Sequence, residues 1–184
     1  MGNTVGYMIT WTTYGTWLQG DKRGYVKDGQ ILPANQKLYS ANINQQKFQH
    51  ITLDQNQKNI AYNAILTEAK RVNHKILALA VCSNHVHLVA EVNKEPIDQF
   101  ARRYKVAATS ALRHYYPDKI WSKGYDKRFC FSQSELMNRI RYVQQHNIKT
   151  LIKETNPLIN QGNGTNPLMN QGNVTNPLMN QGAK

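Results

Sequence analysis

The sequence predicts an α+β domain, an antiparallel sheet with helices packed against it, and three observations carry that expectation. Tyr7–Tyr14 is dense in β-branched and aromatic residues, as strands are. Lys75–Cys82 is almost continuously apolar, and in Asn84–Val92 the residues Val86, Leu88, Ala90 and Val92 recur at period two. A Ser83-Asn84 turn separates those last two runs, a join so short that the strands form an antiparallel hairpin.

Taken in order, the first strand is followed by a basic, polar segment punctuated by Gly15, Gly20, Gly24 and Gly29. Residues 19–50 show little periodicity and read as a long loop or insertion, which is unusual unless functional or disordered. Lys22, Arg23 and Lys27 could hold DNA there, and a solvated loop explains them equally well. Between Asp54 and Asn73, the residues Ile60, Ala61, Ala64, Ile65, Ala69 and Val72 recur at helical spacing, with Asp54 as N-cap. After the hairpin, Pro96 suits the first turn of a helix. Ile97, Phe100, Ala101, Tyr104, Ala108 and Ala111 form its buried stripe, while Arg102, Arg103, Lys105 and Arg113 lie mostly off it. A basic, aromatic turn from Trp121 leads into a short strand at about Arg128–Phe131. Ser134 caps a last helix, whose Leu136, Ile140 and Val143 face the core. The order strand, loop, helix, strand, strand, helix, strand, helix is broadly ferredoxin-like.

The folded domain is expected over residues 1–153. Beyond it, Thr155–Gly164, Thr165–Val174 and Thr175–Lys184 are three ten-residue units built on Thr-Asn-Pro-Leu-(Ile/Met)-Asn-Gln-Gly. Each has too few large apolar residues to build a core, so residues 154–184 are expected to form a disordered tail.

Charge narrows the class of partner. Lys+Arg 23 against Asp+Glu 11 gives a net charge of +12 and a pI near 9.8. Such an excess suits a polyanion bound through phosphate contacts and counterion release; a generally basic soluble protein is the plainer reading. Cys82 and Cys130 form no CxxC pair and lie in apolar runs, so buried reduced thiols are expected in preference to a disulfide or a zinc site. No secretory signal, lipidation motif or membrane-spanning run is found, which points to a cytoplasmic protein without a membrane partner.

The chemistry concentrates in two places. In Asn84-His85-Val86-His87, strand alternation turns both imidazoles to one face, where they can close on a divalent cation. By itself such a triplet is more simply a half-buried strand carrying two histidines. On the last helix, Tyr142 and His146 stand four residues apart and therefore share a face. Three ligand candidates (His85, His87, His146) with a tyrosine one turn away suit phosphoryl transfer: a cation fixes the phosphorus for in-line attack, and Tyr142 is the nucleophile. Arg102, Arg103 and Lys105 on the preceding helix, with Lys123, Lys127 and Arg128, are the candidate DNA contacts. The aromatics near them would stack on unpaired bases or, more simply, belong to the core.

These residues together resemble the single-tyrosine HUH transposases, and most closely the REP-associated tyrosine transposases. The resemblance runs from about Tyr7 to Asn147. It rests on Trp11-Thr-Thr-Tyr-Gly-Thr-Trp-Leu-Gln-Gly-Asp-Lys-Arg-Gly24, Asn84-His-Val-His87, the Tyr104-Lys105 helix, Trp121, and Tyr142-Val143. It implies a ferredoxin-like HUH endonuclease fold that cuts and rejoins single-stranded DNA beside hairpins, through a 5′-phosphotyrosine intermediate and a free 3′-OH, with Mg²⁺ or Mn²⁺. His85 and His87 are then metal ligands and Tyr142 the nucleophile. Relatives commonly place an amide or carboxylate as third ligand; here the same-face residue is His146, with Asn147 beside it, and the choice between them stays open. Monomer and homodimer are both compatible with the sequence. The competing reading is a non-catalytic binder of structured single-stranded DNA or RNA on the same scaffold.

Overall fold

The computed structural model describes residues 3–27 and 30–155. Its centre is a four-stranded antiparallel sheet of β1 (Gly6–Thr12), β4 (Ile76–Val81), β5 (His85–Ala90) and β6 (Asp126–Cys130), in the order β4-β5-β1-β6. With α2 (Gln55–Arg71) and α3 (Ile97–Leu112) as the crossovers, this is the βαββαβ order of a ferredoxin-like sheet. The α+β expectation is borne out. The helix α4 (Gln133–Thr155) follows the last strand.

Strand alternation explains how the sheet supports two cores. On one face Tyr7, Ile9, Trp11, Val86, Leu88 and Ala90 pack with Phe100, Tyr104 and Leu112 of α3 and Ile65 of α2. On the other face Met8, Ala78, Ala80, Val89 and Cys130 meet Leu136 and Val143 of α4. Each face is apolar because each is covered. Gly6 lets α4 start close to the sheet, since a Cβ there would stand 2.7 Å from Leu136 Cδ1.

The first face contains a buried polar chain. His74 lies between Tyr7 and Tyr104, both buried. Its Nε2 is 2.9 Å from Tyr7 Oη and 3.2 Å from the Glu91 carbonyl, and its Nδ1 meets Tyr104 Oη. The carbonyl can only accept, so the proton sits on Nε2, and Nδ1 accepts from the Tyr104 hydroxyl. Phe100 stacks on the imidazole at 3.8 Å between ring centroids. Burial holds the His74 pKa below its ordinary value and raises those of both tyrosines.

Several local expectations are corrected. Residues 19–50 are not a featureless loop: they carry the hairpin of β2 (Tyr25–Lys27) and β3 (Gln30–Leu32) and the helix α1 (Gln36–Asn44). The helix α1 buries none of its residues, so no apolar stripe marked it in the sequence. Gly20, at φ +91°, lets that helix approach: a Cβ there would lie 2.5 Å from the Asn35 carbonyl and the Tyr39 nitrogen. Asp54 caps α2 as expected, in a reciprocal box with Gln57. Ser132, rather than Ser134, receives a first-turn amide of α4, that of Glu135 at 3.2 Å. On α3 the stripe ends on buried Leu112 while Ala111 is exposed. Val92 lies beyond β5 and is 52% exposed, because the strand ends at Ala90. Apart from Thr155, the last residue of α4, the three repeats fall outside the described residues.

Exchanging Tyr104 for Phe should lower unfolding stability by about 1–3 kcal/mol in denaturant titration, because the acceptor Nδ1 of His74 is then buried without a donor. His74 also imposes a pH dependence. Its pKa is depressed on folding, so below about pH 6.5 the unfolded chain takes up a proton that the folded one refuses, and stability falls with pH. A His74→Phe variant should show a flatter stability profile than the wild type across that acid range.

Candidate metal and nucleophile site

The β1–β5 register places the histidine pair. Thr10 is opposite His87, and Thr12 is opposite His85, in the middle of the sheet. Both imidazoles leave the sheet on the face that α4 covers, and α4 brings Tyr142 and His146 to them. The ring centroids of His85 and His87 are 4.5 Å apart, those of His87 and His146 4.7 Å, and those of His85 and His146 5.5 Å. The Tyr142 ring is 5.4 Å from His87 and 4.7 Å from His146. The structure therefore brings the four chemistry-bearing residues of the sequence into one cluster. Asn147 donates instead to the Leu79 carbonyl at 3.1 Å, on the backbone of β4.

The imidazoles are oriented by their neighbours. His85 Nδ1 is 2.7 Å from Asn84 Oδ1, and His87 Nδ1 is 2.7 Å from Thr10 Oγ1. With Nδ1–H donating to Asn84, the lone pair of His85 is on Nε2, which is buried with no hydrogen-bond partner. A buried, unpartnered acceptor is costly unless a ligand satisfies it, and hydrogen bonds on the far nitrogen are how metal-binding imidazoles are commonly fixed. On this ground the residues fit a divalent cation.

The Trp11–Gly24 motif holds the turn before His85. The Thr13 amide donates to the Asn84 carbonyl at 2.9 Å, and the Thr13 and Thr16 hydroxyls lie at 3.2 and 3.3 Å from the same oxygen. Arg23 is locked by Asp21, with Nε and Nη2 each 2.8 Å from a carboxylate oxygen, and donates to the Thr16 carbonyl. Its guanidinium lies 5.0 Å from the Trp17 ring centroid.

Electrostatics set the protonation states. Burial, then His146 and Arg23, push the His85 pKa down to about 4; burial, then His85 and His146, push that of His87 down to about 2. Both are neutral near pH 7, the form that binds metal. Burial, then Cys82, pushes the Tyr142 hydroxyl up to about 12, with Arg139 opposing, and the buried oxygen has no hydrogen-bond partner. Left alone, that phenol is a poor nucleophile; a cation beside it is what it lacks.

Cys82 also stands here, which sequence reasoning missed by treating it only as a buried thiol. Its Sγ is 3.9 Å from His146 Nδ1, and one ligand atom each from Cys82, His85 and His146 lie within 4.8 Å of one another. Neither Cys82 nor Cys130 is in a disulfide, and both are buried, as expected.

The six candidate DNA-contact residues do not gather at this cluster. Arg102, Arg103 and Lys105 are on α3, across the sheet from Tyr142. Arg103 pairs with Glu95 at 3.4 Å, and Lys105 Nζ donates to the carbonyls of Ser122 and Gly124 at 2.8 Å each. Burial, then Lys119, lowers the Lys105 pKa to about 8. Arg102, Lys105, Arg113 and Lys119 line a cleft of about 780 Å³ with Trp121 and Tyr125. Trp121 is core, edge-on to Trp11 at 6.1 Å, whereas Phe129 and Phe131 are exposed. Lys123 is exposed ahead of β6. Lys127, opposite Ile9, reaches Asp98 of α3, while Arg128, opposite Met8, lies on the α4 side of the sheet and pairs with Asp126.

A family model described as "Transposase IS200 like" matches residues 36–149. The chain belongs to the IS200-like transposase family. Among solved structures, a REP-associated tyrosine transposase bound to a REP hairpin matches at 12% identity and TM-score 0.48, over 82% of this chain and 71% of that one. A candidate transposase of Deinococcus radiodurans R1 matches at 13% identity and TM-score 0.40, over 79% of this chain and 93% of that one. No curated protein matches. Among the described residues no helix is long and apolar enough to cross a membrane.

If Asn84 and Thr10 fix the ligand tautomers, Asn84→Ala and Thr10→Val should each weaken divalent-metal affinity by about 10–100-fold in calorimetric titration, with the circular dichroism spectrum unchanged.

Proposed function

We propose that this transposase-family chain cleaves and rejoins single-stranded DNA beside hairpins through a 5′-phosphotyrosine intermediate. The observation that supports it most is the Tyr142 hydroxyl, buried without a partner, with its ring against His87 and His146. In this reading Tyr142 Oη gives up its proton and attacks the phosphorus. The O–P bond to Tyr142 forms as the P–O3′ bond breaks, and the departing oxygen takes a proton to become a free 3′-OH. A second 3′-OH attacking the same phosphorus releases Tyr142 and joins the strands, with no loss of phosphodiester bonds.

His85, His87 and His146 would hold a divalent cation, Mg²⁺ or Mn²⁺ on the resemblance. When bound, it supplies the positive charge that draws electron density from the phosphate and favours the phenolate. The protein's own part is to keep His85 and His87 neutral through burial and to aim them through Asn84 and Thr10. The α4 scaffold holds Tyr142 beside them, where the attacking oxygen is already desolvated. We assign phosphate contacts to Arg102, Arg103, Lys105, Lys123, Lys127 and Arg128. They are spread over both sides of the sheet, so the DNA would wrap past the β6 edge to reach Tyr142. A homodimer and a nucleoid location are compatible with this role, and the folded unit is taken to end near residue 153.

The test uses end-labelled hairpin-bearing single strands, with Mn²⁺ or Mg²⁺ and then with chelator, resolved on denaturing gels. Wild-type protein should form an SDS-stable adduct that chelator abolishes. Tyr142→Phe should lose the adduct and keep hairpin affinity within about threefold, because one buried oxygen is removed and no phosphate contact is touched. Hairpin binding without any adduct in the wild type would replace this function with that of a non-catalytic binder.

A further inference from the structure

The donor set at the site is unusual for a magnesium enzyme. Mg²⁺ prefers oxygen ligands in octahedral geometry, whereas imidazole and thiolate suit Zn²⁺ and its neighbours. Among the described residues, the ligand atoms found within 4.8 Å of one another are sulfur and nitrogen, from Cys82 with His85 and His146, and no carboxylate joins them.

The geometry of these donors is set by backbone as well as by packing. Cys82 directly follows β4 at the hairpin turn, and its amide donates to the His85 carbonyl at 2.8 Å, closing the turn. Two residues, Ser83 and Asn84, separate the thiol from the imidazole. That falls within the two-to-four spacing by which a tight turn presents paired zinc ligands. A tetrahedral Zn²⁺ with Zn–S near 2.3 Å and Zn–N near 2.0–2.1 Å sets its sulfur and nitrogen ligands about 3.5 Å apart. The Cys82 Sγ to His146 Nδ1 separation of 3.9 Å is already close to that. His85 Nε2, buried and without a hydrogen-bond partner, completes the set.

We propose that the Cys82 thiolate is a direct metal ligand together with His85 and His146, so that this chain selects a thiophilic divalent cation of the Zn²⁺ and Co²⁺ class over Mg²⁺. On binding, the S–H bond breaks, its proton leaves to solvent, and a sulfur–metal bond forms. These three donors leave a fourth position for His87, the ligand assigned with them above, whose ring lies 4.5 Å from that of His85 and 4.7 Å from that of His146. The proposal shares His85 and His146 with the function proposed above and rests on their being metal ligands.

Co²⁺ reads out the ligands directly and needs no DNA. Full-length protein titrated with Co²⁺ should show d–d bands in the visible and a near-ultraviolet thiolate-to-cobalt charge-transfer band. Zn²⁺ should bleach both, and a thousandfold excess of Mg²⁺ should leave both in place. Cys82→Ser should lose the charge-transfer band, keep weaker d–d bands, and bind Zn²⁺ at least tenfold less tightly. Cys130→Ser, which removes the other thiol, should match the wild type and controls for folding on the same face of the sheet. Co²⁺ bound with d–d bands alone in the wild type, or a charge-transfer band that survives Cys82→Ser, would overturn the thiolate ligand while leaving a histidine-held metal intact. Absence of any Co²⁺ or Zn²⁺ binding would overturn both this proposal and the metal-dependent reading it rests on.

Discussion

The pairing of β1 with β5 is the constraint on which the rest of the molecule depends. It sets Thr10 opposite His87 and Thr12 opposite His85, and the Thr10 hydroxyl then meets His87 Nδ1. A slip of one residue would carry both imidazoles through the sheet into the apolar packing of α2 and α3, and would turn Val86 and Leu88 out under α4. The register is therefore held twice, by the buried side chains on the far face and by the polar contacts on the near one. The Trp11–Gly24 segment adds a third hold, because Thr13 and Thr16 converge on the Asn84 carbonyl.

The two faces of the sheet divide the electrostatic roles. Under α4 burial keeps His85 and His87 neutral, and two cations, Arg23 toward His85 and Arg139 toward Tyr142, act from the margin. Over α3 the charge is carried by residues such as Arg102, Arg113 and Lys119 along an open cleft. A surplus of +12 spread in this way attracts polyanions broadly without crowding cations around the ligand set. Lys105 also ties that surface together: its ammonium joins α3 to the Ser122–Gly124 turn.

Much of this was legible in the sequence, and the parts that were not have physical reasons. The alternation through His85–Ala90 and the four-residue interval between Tyr142 and His146 each fix a face, so short-range periodicity was enough to place these side chains. The helix α1 buries nothing, and β2 and β3 are three residues each, so they carry no periodic signal. Ser132 and Ser134 are equivalent as caps until the chain direction at Phe131 is known. Ala111 and Leu112 both lie near the edge of the α3 stripe, and only the packing of the crossover decides between them. His74 is a lone histidine whose partners, Tyr7 and Tyr104, come from distant segments. Cys82 was hidden by its setting: an apolar run makes a cysteine look like a small hydrophobe, and its meeting with His146 depends on where α4 crosses β4.

Tyr142 and His146 ride on the same rigid rod. Four residues of helix rise about 6 Å and return almost to the same azimuth, so the two rings move as one body. A rotation of α4 that withdrew the tyrosine from the sheet would withdraw the imidazole by a comparable arc, and a slide along the axis would displace both by the same distance. His85 and His87, anchored in the centre of the sheet, would stay behind. The cluster is thus divided mechanically between a fixed half and a travelling half, and any displacement of the helix changes the completeness of the ligand set and the reach of the attacking oxygen together.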